Sequence, residues 1–167
     1  MHNLTKCFLC SDFGKTTKNS VEKQTVFGAD TRKIFKGPQE LFTGEVQLSL
    51  LFPPNETAQY SGAHCTFQPR ARTAWHIHPA GQYMIVTSGV GRTGTRYGKI
   101  LEIKAGDVIW CPPDTEHWHG ASPDAPMALL LITGVFECKN VIYKEKVTNE
   151  QYLGRSGTAS VGQLPSE

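Results

Sequence analysis

Two short segments of this chain hold most of the side chains able to do chemistry. The first is Trp75-His76-Ile77-His78-Pro79-Ala80-Gly81-Gln82, and the second is Pro112-Pro113-Asp114-Thr115-Glu116-His117-Trp118-His119. In an extended strand, residues two apart point to the same face. His76 and His78 can therefore present two imidazoles to one ion, and a third can arrive from a strand about 40 residues further on. Imidazole suits divalent zinc, manganese, iron, nickel or copper. A lone strand histidine is more often a satisfied polar residue than a ligand. Two at this spacing, followed by Gln82 and a third in a second strand-rich segment, predict one mononuclear site for a divalent transition metal.

The elements that must position these residues read as β-structure. From Phe42 to about Lys144, short apolar runs alternate with Gly, Pro, Asn and Asp, the pattern of an all-β sandwich or barrel. Expected strands are Val46–Phe52, Gly62–Phe67, Arg72–His78, Tyr83–Ser88, Gly91–Arg96, Lys99–Ile103, Asp107–Cys111, His117–Gly120, Ala125–Thr133 and Asn140–Lys144. Thr148-Asn149-Glu150-Gln151 resembles a capping box that opens a short C-terminal helix. Residues 1–40 are polar, Lys-rich and aperiodic, and are expected to be a flexible arm with one strand near Lys33–Phe35. Residues 41–153 form the domain, and 154–167, rich in Gly, Ser and Thr, read as a disordered tail.

Composition excludes several classes. The chain has 167 residues, enough for one domain with a core of its own. Lys and Arg number 17 against 15 Asp and Glu, with no basic run, so a nucleic-acid partner is not expected. No apolar stretch reaches the roughly 18 residues of a membrane span, and the chain reads as cytoplasmic. The five cysteines are an odd number, which argues against a complete disulfide framework. Cys7 and Cys10 lack a second pair at zinc-finger spacing and read as reduced thiols. Cys65 and Cys111 fall in apolar strand patterns and read as core.

The spacing resembles the cupin family. Its first motif runs Gly, His-x-His, Glu, Gly, and this chain offers Arg70, His76-Ile77-His78, Gln82 and Gly89 at matching intervals. Its second runs Gly, Pro-x-Gly, His, Asn, and here Gly106, Pro112-Pro113-Asp114, His117 and Ala121 match. Arg70, Gln82, Asp114 and Ala121 depart in residue type. Residues 66–82, His117–Ala121 and Val147–Tyr152 are similar to a bacterial subgroup. It includes carboxymuconolactone decarboxylase-associated cupins and manganese-dependent cupin hydroxynitrile lyases, and Gln at the fourth ligand position is usual in it. The resemblance implies a double-stranded β-helix, a jelly-roll barrel. It implies His76, His78, Gln82 and His117 as ligands, manganese as the first metal to consider, and iron, zinc or nickel after it. Lyase-type members carry a His near the start of a late strand, where this chain has Leu129.

Other residues complete the candidate set. His119 shares the parity of His117 and is expected beside the metal as a pocket acid or base, or as a structural histidine, rather than as a ligand. His64, unusual in its strand, is a second candidate for proton transfer. Arg72 shares the parity of His76 and is a candidate anchor for a substrate carboxylate, or else a surface ion-pair partner. Trp75 and Trp118 have the opposite parity and read as core or interface, as does Tyr83. Three imidazoles and an amide leave a divalent ion its full +2 charge, which attracts an anionic oxygen. The expected activity is a metal-dependent lyase or decarboxylase acting on a small oxygenated, anionic substrate. A dioxygenase and a non-catalytic ligand- or sugar-binding protein are the alternatives. A homodimer that covers exposed sheet edges is expected.

Overall fold

The computed structural model describes residues 23–154. The arm up to residue 22, with Cys7 and Cys10, and the tail from residue 155 lie outside the described residues. After a 3-10 turn at Ala29–Thr31 come β1 (Ile34–Lys36), β2 (Phe42–Thr43), β3 (Val46–Phe52), β4 (Tyr60–Phe67), β5 (Arg72–Thr73) and β6 (His76–Ile77). They are followed by β7 (Gln82–Thr95), β8 (Leu101–Lys104), β9 (Val108–Cys111), β10 (His117–Ala121), β11 (Met127–Gly134) and β12 (Ile142–Tyr143). One helix, α1 (Asn149–Leu153), closes the described chain. It opens with the expected capping box: Thr148 accepts from the Gln151 amide, and the Gln151 side chain accepts from the Thr148 amide.

The twelve strands make one curled antiparallel sheet that wraps into two facing walls. One wall runs β1-β3-β4-β11 and on through the first half of β7 to β9. The other runs from β8 through the second half of β7 to β10, whose far edge carries β5 and β6, extended by β2 and β12. Period-two alternation fills the interior: Cys65 and Phe67 of β4, Met127, Leu129 and Leu131 of β11, and Met84 and Val86 of β7 share one buried cluster. A second cluster joins Trp75, Trp118, Val147 and Tyr152, so α1 packs on the outside of the wall that carries β6 and β10. This makes Trp75 and Trp118 core residues. Tyr83 lies on the exposed face, its ring 4.5 Å from that of Trp110.

Two expectations about elements are corrected. The segments Tyr83–Ser88 and Gly91–Arg96 are not two strands but one, because the glycines between them bend β7 from one wall to the other. Gly89 has φ 76°, and a Cβ there would sit 1.9 Å from the Pro126 carbonyl oxygen. The expected strand Arg72–His78 is instead broken at Ala74 and Trp75. At the strand expected near Lys33–Phe35, β1 pairs with β3, so the sheet begins at Ile34. Two positions where the family motif has glycine, Arg70 and Asp114, keep a positive φ, of 69° and 59°. The backbone turn is retained there although the residue type is not.

Gly89→Ala combines a disallowed φ with a backbone clash, so it should lower stability by more than about 2 kcal/mol in urea denaturation. Gly106→Ala has φ 96° but open space around the new methyl, and should cost only about 1 kcal/mol. Equal losses at the two positions would show that the contact with Pro126 is unimportant.

Candidate metal centre

The register of β6 against β10 sets His117 directly opposite His76, with ring centroids 4.3 Å apart. His78, just past the end of β6, lies 5.0 Å from His76 and 5.4 Å from His117. Gln82 starts β7 and faces Thr133 across the β7–β11 pair. All four side chains are buried. The three histidines of the expected ligand set are thus gathered in one place, with the Gln82 side chain next to His78.

The main chain decides which nitrogen each ring offers. Nδ1 of His76 is held by the Ala74 carbonyl at 2.9 Å, and Nδ1 of His117 by the Thr115 carbonyl at 3.0 Å. Nδ1 of His78 is held by the Asn140 carbonyl. A carbonyl only accepts, so each Nδ1 carries the proton and each Nε2 keeps a free lone pair. Orienting bonds of this kind are what metal-ligating histidines need. The Gln82 amide is fixed in the same sense. Its Nε2 donates to Thr133 Oγ1 at 2.9 Å, which turns Oε1 away from the hydroxyl.

Among the described residues, Nε2 of His78, Nε2 of His117 and Oε1 of Gln82 are buried without a hydrogen-bond partner. Each such orphan costs about 1–3 kcal/mol, and three in one place call for an explanation. All three are acceptors with free lone pairs, and a cation would satisfy them together. The donor set therefore fits a divalent transition metal.

His119 stands beside this set. Its ring lies 5.3 Å from His76 and 6.0 Å from His117, and it meets Phe67 edge-on at 5.6 Å. Its backbone N–H donates to Thr73 Oγ1. Unlike the other three rings, its Nδ1 is buried with no carbonyl to hold it. Ring nitrogens of His76, His117 and His119 lie within 4.8 Å of one another, so two overlapping groups share His76 and His117.

Burial keeps all four imidazoles neutral. It pushes His78 down to about 4 and lowers His117. Burial first, and then the neighbouring imidazoles, holds His76 and His119 well below the ordinary histidine range. Burial also pushes the thiols of Cys65 and Cys111 up, to about 12 and about 11, which suits core residues and not nucleophiles.

A cupin domain profile matches residues 63–133. The chain is 47% identical over 117 residues to an (R)-mandelonitrile lyase from Granulicella tundricola, covering 70% of this chain and 89% of that one. The chain belongs to the cupin family. A cupin-like protein from Thermotoga maritima superposes with a TM-score of 0.67 at 36% identity, over 71% of this chain and 90% of that one. A cupin 2 conserved barrel domain protein from Rhodopseudomonas palustris shares the fold at a TM-score of 0.57 and 18% identity, over 81% of this chain and 91% of that one.

Two expected residues are not brought to this cupin site. Arg72 is buried but turned away. Its guanidinium donates to the carbonyls of Val147 and Arg70 and to Asn149 Oδ1, and it lies 4.7 Å from the Tyr152 ring centre. The parity argument failed because the chain leaves strand geometry at Ala74 and Trp75, between Arg72 and His76. Arg72 is therefore a clasp for the C-terminal segment and not a substrate anchor. His64 pairs in register with Ser49 and Leu130, on the face of β4 opposite to buried Cys65 and Phe67. Strand alternation puts it outside the barrel. Leu129, aligned with the lyase-type histidine, is fully buried in the interior cluster.

Two residues were missed by reading the sequence. Thr133 had a signal: it is a polar residue on the inward parity of an apolar strand. Tyr143 had almost none, because its strand is only two residues long. Its ring lies 5.5 Å from that of His76. Burial raises its phenol pKa, and nearby Cys65 adds to this.

The neutral histidines make the metal-free protein acid-sensitive. Below about pH 6.5 the unfolded chain takes up protons that the folded chain refuses, so stability falls as pH falls, down to about 4 where His78 protonates in place. His78 alone accounts for about 3 kcal/mol across that window. Urea midpoints of chelator-treated protein should drop between pH 6.5 and 4, and a flat profile would contradict neutral burial.

Proposed function

We propose that this cupin is a metal-dependent lyase that breaks a carbon–carbon bond in a small oxygenated substrate. The observation that carries this is the set of orphaned, preoriented acceptors on His78, His117 and Gln82, together with Nε2 of His76. The 47% identity to an (R)-mandelonitrile lyase supplies the reaction class and the substrate to test first.

His76, His78, Gln82 and His117 would hold the ion, with manganese favoured over iron, zinc and nickel. When bound, the ion supplies Lewis acidity for a substrate oxygen and for the negative charge that develops as the bond breaks. The four holding side chains are uncharged, so the ion keeps its +2 charge.

The remaining steps belong to the chain's own residues. His119 is neutral, and its Nδ1 has no protein partner. It accepts the proton from the substrate hydroxyl and returns it to the leaving group. Phe67, fully buried and edge-on to its ring, forms apolar wall beside it and excludes water from the reacting atoms. With Leu129 in place of a second imidazole, His119 works without a partner base on that wall. Turnover should therefore depend on a single histidine.

Metal content of protein purified without added metal should be close to one divalent ion per chain by mass spectrometry. The double variant His76→Ala, His78→Ala should retain none after chelator treatment. Stoichiometric metal in that variant would falsify the ligand assignment. The loaded wild type should release benzaldehyde from (R)-mandelonitrile without consuming oxygen, and His119→Ala should lose at least about a hundredfold in rate. Oxygen consumption would instead point to a dioxygenase.

A further inference from the structure

The segment after the barrel strands builds one side of the centre. The Asn140 carbonyl orients His78, and Tyr143 pairs in register with His76. The Trp75 amide donates to the Glu145 carbonyl, and the Lys144 amide to the Trp75 carbonyl. An ion network fastens the same segment from outside. Arg96 contacts both Glu116 and Glu145, and Lys144 contacts Glu116 at 2.8 Å. The Arg96 guanidinium also stacks 4.1 Å over the Trp75 ring. Tyr143 therefore stands on a strand braced on two sides and not on a free loop.

Its ring is wedged between His76, at 5.5 Å, and Phe42, at 6.3 Å, and the phenol lies near Cys65 of the opposite wall. No other residue gives the hydroxyl a hydrogen bond among the described residues. The residue as a whole is only partly buried. A phenol held beside the His76 imidazole, without a hydrogen-bond partner among the described residues, is a donor that waits for a ligand. Arg72, the candidate cation for this site, is committed elsewhere.

We propose that the Tyr143 hydroxyl is a substrate-contacting residue that donates a hydrogen bond to an oxygen of the ligand held at the histidine cluster. The inference rests on the metal assignment above and adds to it a second point of recognition. The ligand class is a small oxyanion or oxygenated molecule whose second acceptor atom reaches past the ion toward β12. The donor is neutral, so it orients such a ligand without adding charge to the site.

The test is Tyr143→Phe in the full chain, loaded with one equivalent of manganese(II), with acetate and benzoate as calorimetric probes. Loss of one hydrogen bond to a charged acceptor should weaken the binding of at least one probe about tenfold. Metal stoichiometry and melting temperature should match wild type, because the ring still packs on His76 and Phe42. Tyr60→Phe, at an exposed phenol away from the histidines, should bind both probes as wild type does. Unchanged affinity for both probes in Tyr143→Phe overturns the proposal, and so does wild-type protein that binds neither. Loss of metal from Tyr143→Phe also overturns it, by showing that the hydroxyl supports the ligand histidines and not the substrate. Failure of the wild type itself to take up metal removes the metal assignment, and this proposal falls with it.

Discussion

Each buried imidazole in this barrel must dispose of one N–H, and the three main-chain carbonyls that accept those protons control everything downstream. Because Ala74, Thr115 and Asn140 receive the Nδ1 protons, the rings of His76, His117 and His78 are locked in one tautomer and one orientation. Two of these carbonyls sit two residues before their own histidine, so the local backbone supplies them wherever it bends out of strand geometry. The break at Ala74–Trp75, which spoiled the parity of Arg72, is the same bend that gives His76 its acceptor. The third carbonyl comes from 62 residues away and requires the chain to return. Local geometry thus sets two rings, and tertiary closure sets the third.

The same need to satisfy polar groups explains the rest of the interior. Gln82 can direct its oxygen at an ion only because Thr133 absorbs its amide N–H. Arg72 would be a costly buried charge were it not matched to the Val147 carbonyl, Asn149 and the face of Tyr152. In meeting that requirement it pins α1 to β5, while Tyr152 donates to the Ala121 carbonyl at 2.7 Å and pins the helix to β10. Among the described residues, the buried side-chain atoms left unsatisfied are confined to the histidine cluster. That contrast separates the site from a merely polar core.

Much of this was legible in the sequence. The period-two alternation of β4 and β11 places Cys65, Phe67, Leu129 and Leu131 inside without reference to any fold. The spacing of His76, His78, Gln82 and His117 predicts their convergence, and Thr148 with Gln151 predicts α1. The failures have separate causes. Strand parity extrapolated from His76 puts Arg72 at the site, and a two-residue departure from extended geometry defeats it. His64 stands out only by its residue type, and the outward face of β4 takes it away from the site. Tyr143 was invisible because a two-residue strand has no period, and its importance comes from pairing with β6, far away in sequence. The length of β7 was hidden because glycine marks a break in most strands. Here it permits one strand to serve both walls.

Docking of β12 onto β6 has a consequence for the order of events as the chain is made. Synthesis runs from the N-terminus, and contacts between distant segments form late because closing long loops is entropically slow. His76, His78, Gln82 and His117 are all made before Asn140 and Tyr143 exist. A nascent chain therefore carries the whole proposed ligand set while His78 still lacks its acceptor and one side of the cluster is missing. Capture of an ion at that stage would be by a looser and less selective version of the site. Maturation of the centre is tied to the arrival of residues 140–145, which have little chemistry of their own apart from one phenol.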